Sequence, residues 1–214
     1  MTRGMLVSAL LSHRNKGHLW GYMNSKDEPK NWPSITSEAK SILDSLTDKE
    51  YHFLINSQLP YKEKILLFDI LMLFNNVEMN LNRILNLKYD IGALLSNILN
   101  DQTNPRYNSL FNTEVAENFR KILKENIEIR HLIAHGVPKK YKDIECIIFL
   151  TSNKTDWDKK IVKSPEGKCN IGQMRKNHII TPIVSISSLK ALRAILIDID
   201  NYIAFHAAID TYKK

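Results

Sequence analysis

One pattern near the C-terminus restricts the fold more than any other. In "SISSLKALRAILIDIDNYIAFHAAIDTYKK", the residues Leu189, Leu192, Leu196, Ile199, Ile203 and His206 recur at alternating three- and four-residue steps. That period lays a helix-packing seam along one long helix. A second long helix is predicted for "YKEKILLFDILMLFNNVEMNLNRILNL", which follows Pro60. Its apolar positions include Ile65, Phe68, Met72, Val77, Leu81 and Leu85. With Leu66, Leu67, Ile70 and Leu73 added, its apolar surface is wide enough for burial on more than one side.

Shorter helices fill in around these two. "SITSEAKSILDSL" carries helical signals, and Thr47 and Glu50 in "TDKEYHFLINSQL" have the spacing of a capping box. "IGALLSNILND" predicts a short helix ended by the Asn/Thr/Asn/Pro turn cluster at residues 100–105. From Thr113, "EVAENFRKILKENIEIRHLIAH" reads as one continuous helix. Phe119, Ile122, Ile129 and Ile133 line one stripe, with Asn126 as its polar member. Gly136 suits the left-handed residue after a helix end, and Pro138 cannot continue the helix. Beyond them the period changes. "DIECIIFLTSN" reads as a strand, with "KKIVKS" and "HIITPIV" as partners and "SPEGKCNIGQ" as loop chemistry. The expected fold class is therefore mainly all-α, a helical bundle with a small β-element between the last two helices.

Composition agrees with one domain of ordinary size: 214 residues, 43% hydrophobic and 25% charged, enough for a sizeable core. Residues 1–33 mix Gly, Asn, Lys and Pro. They read as an N-terminal arm with one short helix near Met5 to Leu11, ahead of a helical domain at 34–214 whose basic β insertion spans about 143–183. No apolar run approaches the roughly 20 residues that span a bilayer, so no membrane partner is expected. The start "MTRGMLVSALLSHR" lacks a cleavage-site pattern, which favours a cytoplasmic protein. Cys146 and Cys169 make neither a disulfide framework nor a zinc site.

The net charge of +7 is uneven: between Lys139 and His178 stand ten Lys/Arg against five Asp/Glu. A basic patch of this kind suits a polyanion partner or a solvated hairpin.

The stretch "NIEIRHLIAHGVPKK" concentrates chemistry. It sets Arg130, His131 and His135 in the last turns of a helix. His131 and His135 are four apart, so they lie about 40° apart around the axis and can share an ion. A di-iron bundle, however, needs a second Glu-x-x-His unit beside Glu128 and His131, and the chain has none. No glutamate follows His131 to make a zinc-protease pattern. No metal or other cofactor is therefore expected. A purely structural reading also stands: Arg and His near a helix C-terminus favour the dipole and cap free carbonyls.

"RHLIAHG" resembles the Arg-x4-His signature of the HEPN superfamily, which favours Asn, Asp or His directly after the arginine. The context is similar too: a preceding amphipathic helix with a lone acidic residue, Glu78, the motif near a helix end, and a long closing helix. The resemblance spans about residues 61–212, although only the seven-residue motif is specific. The tyrosine some members carry two positions after the histidine is replaced here by Val137. The resemblance implies a HEPN-like helical bundle that forms a homodimer, bringing two Arg/His pairs into one cleft. It implies a metal-independent endoribonuclease, acting as a toxin or anti-phage defence effector, with RNA as substrate and an antitoxin or regulatory protein as a further partner. Arg130 and His135 would be catalytic, His131 would orient the pair or carry a proton, and Glu78 would support Arg130. Lys139, Lys140 and Lys142, just after the motif, could hold RNA phosphates. A non-catalytic module that binds protein or nucleic acid is the alternative.

One geometric constraint accompanies this reading. Residues five apart lie about 140° apart on an ideal helix, so Arg130 and His135 do not share a face. Either the helix loosens at Gly136 or a partner subunit completes the site.

Overall fold

The computed structural model describes residues 32–85, 95–100, 109–151, 171–176 and 179–212. The predicted helix near Met5 to Leu11, the strand "KKIVKS" and Cys169 lie outside them. Seven helices occur among the described residues: α1 (Ser37–Asp44), α2 (Asp48–Asn56), α3 (Tyr61–Leu85), α4 (Leu95–Asn100), α5 (Glu114–Glu125), α6 (Ile127–His135) and α7 (Ile186–Tyr212). Four strands stand between α6 and α7: β1 (Val137–Lys139), β2 (Cys146–Leu150), β3 (Ile171–Lys176) and β4 (Ile179–Ser185). The protein is mainly helical, with one small antiparallel sheet.

α3 is the spine. Its face of Leu67, Ile70, Phe74, Val77 and Leu81 is buried, and the principal packing of the molecule sets it against α7. The predicted α7 seam supplies the other half: Leu189, Leu192, Leu196, Ile199 and Ile203 are all fully buried. Each such side chain stabilises the fold by about 1.5–3 kcal/mol relative to exposure, so this contact dominates the core. Arg193 Nε donates to Asp69 Oδ2 at 2.8 Å along its edge. α3 departs from expectation on its other side. Ile65, Phe68 and Met72 are exposed, so its broad apolar surface is buried on one side only.

The sheet runs β1-β2-β4-β3 with every pairing antiparallel. β3 falls partly in "NIGQ", which the sequence suggests as loop, and β1 occupies the residues expected merely to stop a helix. Pro182 tolerates β4, an internal strand, because the β2 pairing covers only Ser185, Val184 and Ile183 and ends just before it. α1 and α2 cover the sheet through a second cluster of Leu43, Leu46, Leu54, Tyr141, Cys146, Ile148, Met174 and Ile183. The capping box that starts α2 is present: Glu50 N–H donates to Thr47 Oγ1 at 3.3 Å and Thr47 N–H to Glu50 Oε2 at 3.0 Å.

Two local findings bear on the motif. The helix after Thr113 is broken at Asn126, which is fully buried with φ −102° and ψ 8°. Its side-chain Nδ2 donates to Ile122 O at 2.9 Å, and a buried amide satisfied locally offers the backbone an alternative to the helical ladder. Gly136 is extended, with φ −86° and ψ 155°, not left-handed. Glycine is needed there for close approach: a Cβ would lie 2.7 Å from Leu132 O and 3.3 Å from the Phe149 side chain.

Candidate active site between α3 and α6

The Asn126 break leaves the motif on a nine-residue helix of its own, α6, anchored by buried Ile129 and Leu132. Arg130 leaves that helix toward α3. Its Nη2 donates to Glu78 Oε2 at 2.7 Å and to Asn75 Oδ1 at 3.4 Å, and its Nε is buried without a hydrogen-bond partner. Both Arg130 and Glu78 are largely covered. Burial raises the Glu78 carboxyl pKa above its usual value, outweighing the opposing pull of the Arg130 charge and hydrogen bond. Asn75, one turn before Glu78, belongs to the same polar cluster.

His131 and His135 lie together along α6, as their four-residue spacing allows. Their rings are stacked, 6.2 Å apart at 21°. His131 is half-buried, whereas His135, the last residue of the helix, is exposed. The helix stays closed to its end, since Gly136 N–H donates to Leu132 O at 2.8 Å. Arg130 and His135 are therefore not brought together within this chain. No hydrogen bond joins them among the described residues, and the loosening at Gly136 that would allow one does not occur.

The three lysines after the motif differ from one another. Lys139 Nζ donates to Ser57 O at 2.5 Å. Lys140 is half-buried against Glu63, with Nζ 2.8 Å from Oε1. Lys142 is 64% exposed, its Nζ 3.8 Å from Glu50 Oε1 and 4.8 Å above the Tyr141 ring. Lys139 and Lys140 thus engage their ammonium groups within the fold, whereas the Lys142 side chain is largely exposed, with its ammonium near Glu50 and the Tyr141 ring. Glu63 is the residue sequence reasoning left without a role. The only signal for Glu63 is an acidic residue on the otherwise apolar side of α3, where a charge needs a partner.

Among the described residues no group of three or more His, Cys, Asp or Glu could hold a metal ion. Burial pushes the Cys146 thiol pKa up to about 12, which leaves it inert as a nucleophile. Among the described residues no helix is long and apolar enough to cross a membrane. No protein-family model, curated protein or solved structure matches the chain.

Proposed function

We propose that the protein is a homodimeric, metal-independent endoribonuclease of HEPN type, cleaving RNA at a composite site of Arg130, His131 and His135. The observation that carries this reading is the pairing of Arg130 with Glu78 and Asn75 across α3 and α6, beside a stacked His131–His135 pair whose outer ring is open to solvent. RNA supplies its own nucleophile, so the protein must move protons and offset charge rather than provide a metal. The 2′-OH attacks the adjacent phosphorus, the P–O5′ bond breaks, and a 2′,3′-cyclic phosphate and a 5′-OH result. A histidine removes the 2′-OH proton, and a protonated histidine returns one to O5′. His135 takes one of these roles, since its exposed imidazole is open to a substrate and can accept or donate a proton. Arg130 offers its guanidinium to the phosphate oxygens as their charge grows, with Glu78 holding it in place. Lys142 extends the positive field toward the RNA backbone. In the cell such an activity fits a toxin or anti-phage effector restrained by a partner protein.

The test is cleavage of a labelled structured RNA pool in EDTA by the wild type and by His135→Ala. Cleavage that persists under chelation and falls by at least about a hundredfold in the variant is the expected result. Equal cleavage by the two proteins removes His135 from the mechanism. Absence of cleavage by an intact dimer favours a non-catalytic binding module. One observation supports that second reading, namely that Arg130 is already neutralised by a covered carboxylate and so pins α6 to α3.

A further inference from the structure

We propose that the exposed side of α3 is a track for single-stranded RNA, on which Phe68 stacks a base while Lys64 and Arg83 hold phosphates on either side of Arg130. What happens at Arg130 rests on the ribonuclease reading; the track itself rests on the exposure and charge of the helix.

Lys64, Phe68, Met72, Asn75, Met79 and Arg83 follow one another at steps of four, four, three, four and four residues, and all six are exposed. On a helix turning 100° per residue they share about 100° of arc and run along about 28 Å of axis. That length takes a single-strand site of at least about four nucleotides. Asn75 stands inside the strip, about 16 Å from Lys64 and about 12 Å from Arg83 along the axis. It accepts a hydrogen bond from Arg130 Nη2, so the guanidinium of the candidate site reaches the strip between its two cations.

Charge favours a polyanion there over another protein surface. α3 has three acidic residues, and each meets a cation of another element: Glu63 meets Lys140, Asp69 meets Arg193 and Glu78 meets Arg130. Its three cations, Lys62, Lys64 and Arg83, are exposed, and none forms an ion pair with a carboxylate among the described residues. From α7, Asp200 is bonded to Asn76 at the flank of the strip. The strip thus sets Phe68, 62% exposed, between two cations without ionic partners. Single strands are held in this way: the ring takes an unstacked base on its face, and the cations take the phosphates. Met72 and Met79, also exposed, continue the apolar floor under the neighbouring bases. A duplex cannot use such a strip, because its bases stay stacked on one another. Stacking tolerates every base, so the track implies weak base preference.

Fluorescence anisotropy of a labelled oligouridylate of about 12 nucleotides tests this, in the His135→Ala background with EDTA so that the probe stays intact. The single strand should bind at least about tenfold more tightly than a duplex of the same length. Phe68→Ala should weaken binding about tenfold and leave its salt dependence unchanged. Arg83→Gln should weaken it and lower the slope of log Kd against log salt by about 0.7. Lys40→Gln, an equal loss of exposed charge on α1, should leave that slope unchanged. Sedimentation and circular dichroism of each variant show whether association and helicity are kept. Equal affinity for the duplex, no affinity for the single strand, or strip variants that bind as tightly as their parent would each overturn the proposal. So would a Phe68→Ala variant that loses affinity only because its dimer dissociates, which would make the strip a protein interface. Strip-dependent binding without cleavage by the wild type keeps the track and removes the nuclease. Cleavage that ignores the strip does the reverse.

Discussion

Two carboxylates on α3, Glu63 in its first turn and Glu78 two turns before its end, each meet a cation from the segment around the motif, and they behave in opposite ways. Lys140 bonds Glu63 at 2.8 Å and Arg130 bonds Glu78 at 2.7 Å, so the contacts look alike. The hydrogen bond from Lys140 nevertheless lowers the Glu63 pKa, and the same bond raises that of Lys140. Glu78 moves up, because desolvation outweighs Arg130. Exposure does not explain the difference, since Glu63 is the less exposed of the two. The leading cause differs instead: at Glu63 the Lys140 hydrogen bond outweighs desolvation, and at Glu78 desolvation outweighs Arg130. The first pair fastens the sheet to the bundle. The second keeps a charge where the fold disfavours it, which is the usual condition of groups that act on a ligand.

Removing one partner of the fastening pair is the harshest way to test the contrast. Glu63→Ala leaves the Lys140 ammonium covered, with Glu145 at 3.8 Å and the charge of Asp143 to answer it. The expected loss is about 3 kcal/mol in urea unfolding, and Glu63→Leu combined with Lys140→Met should recover most of it. If Glu63→Ala and Glu78→Ala cost the same, the distinction between the pairs collapses.

Gly136 stands between the two pairs in sequence, and it sharpens the comparison by locating what joins them. Its missing Cβ lets the end of α6 lie against Phe149 of β2. Gly136→Ala should cost about 2 kcal/mol, because a backbone carbonyl and a packed ring must both yield. It should also weaken RNA cleavage by shifting His135. A variant that loses stability but keeps full activity would show that the helix end is free to adjust without consequence for the site.

These contrasts mark where sequence reasoning reached and where it stopped. The α7 seam was legible because six residues repeat one period; the first five are fully buried and His206, near the helix end, is half-buried. The capping box at Thr47 was legible because it is a local exchange of two hydrogen bonds. The motif's place at a helix end followed from Gly136, but the reason did not: the residue is extended, and its glycine is dictated by Phe149, which is distant in sequence. Asn126 appeared as a polar member of an apolar stripe. Periodicity alone could not tell a tolerated amide from one that ends a helix. Ile65, Phe68 and Met72 had the right period and stand exposed, because a period defines a face without saying what covers it. The pairing of Glu63 was out of reach for the same reason, since Lys140 lies 77 residues away, whereas Glu78 was matched to Arg130 only through the resemblance.

The smallest expected effect is the most diagnostic, because the two carboxylates should give stability opposite slopes with pH. Glu63 has a lowered folded-state pKa, so its contribution is present above about pH 4.5 and is lost as pH falls through the folded value. Glu78 has a raised one, so its contribution is full below about pH 4.5 and is lost as pH rises through the folded value. In the wild type the two slopes therefore lie on opposite sides of about pH 4.5, that of Glu63 below it and that of Glu78 above it. Glu78→Gln removes the descending part. It should change stability at neutral pH by no more than about 1 kcal/mol, since the lost ion pair is offset by relief of a disfavoured charge. Melting temperatures measured from about pH 4.5 upward should then fall less, or rise more, with pH in the variant than in the wild type. A parallel shift of the whole curve would mean that Glu78 is as well accommodated as Glu63. The candidate site would then hold its arginine by a pair no different from the one that fastens the sheet.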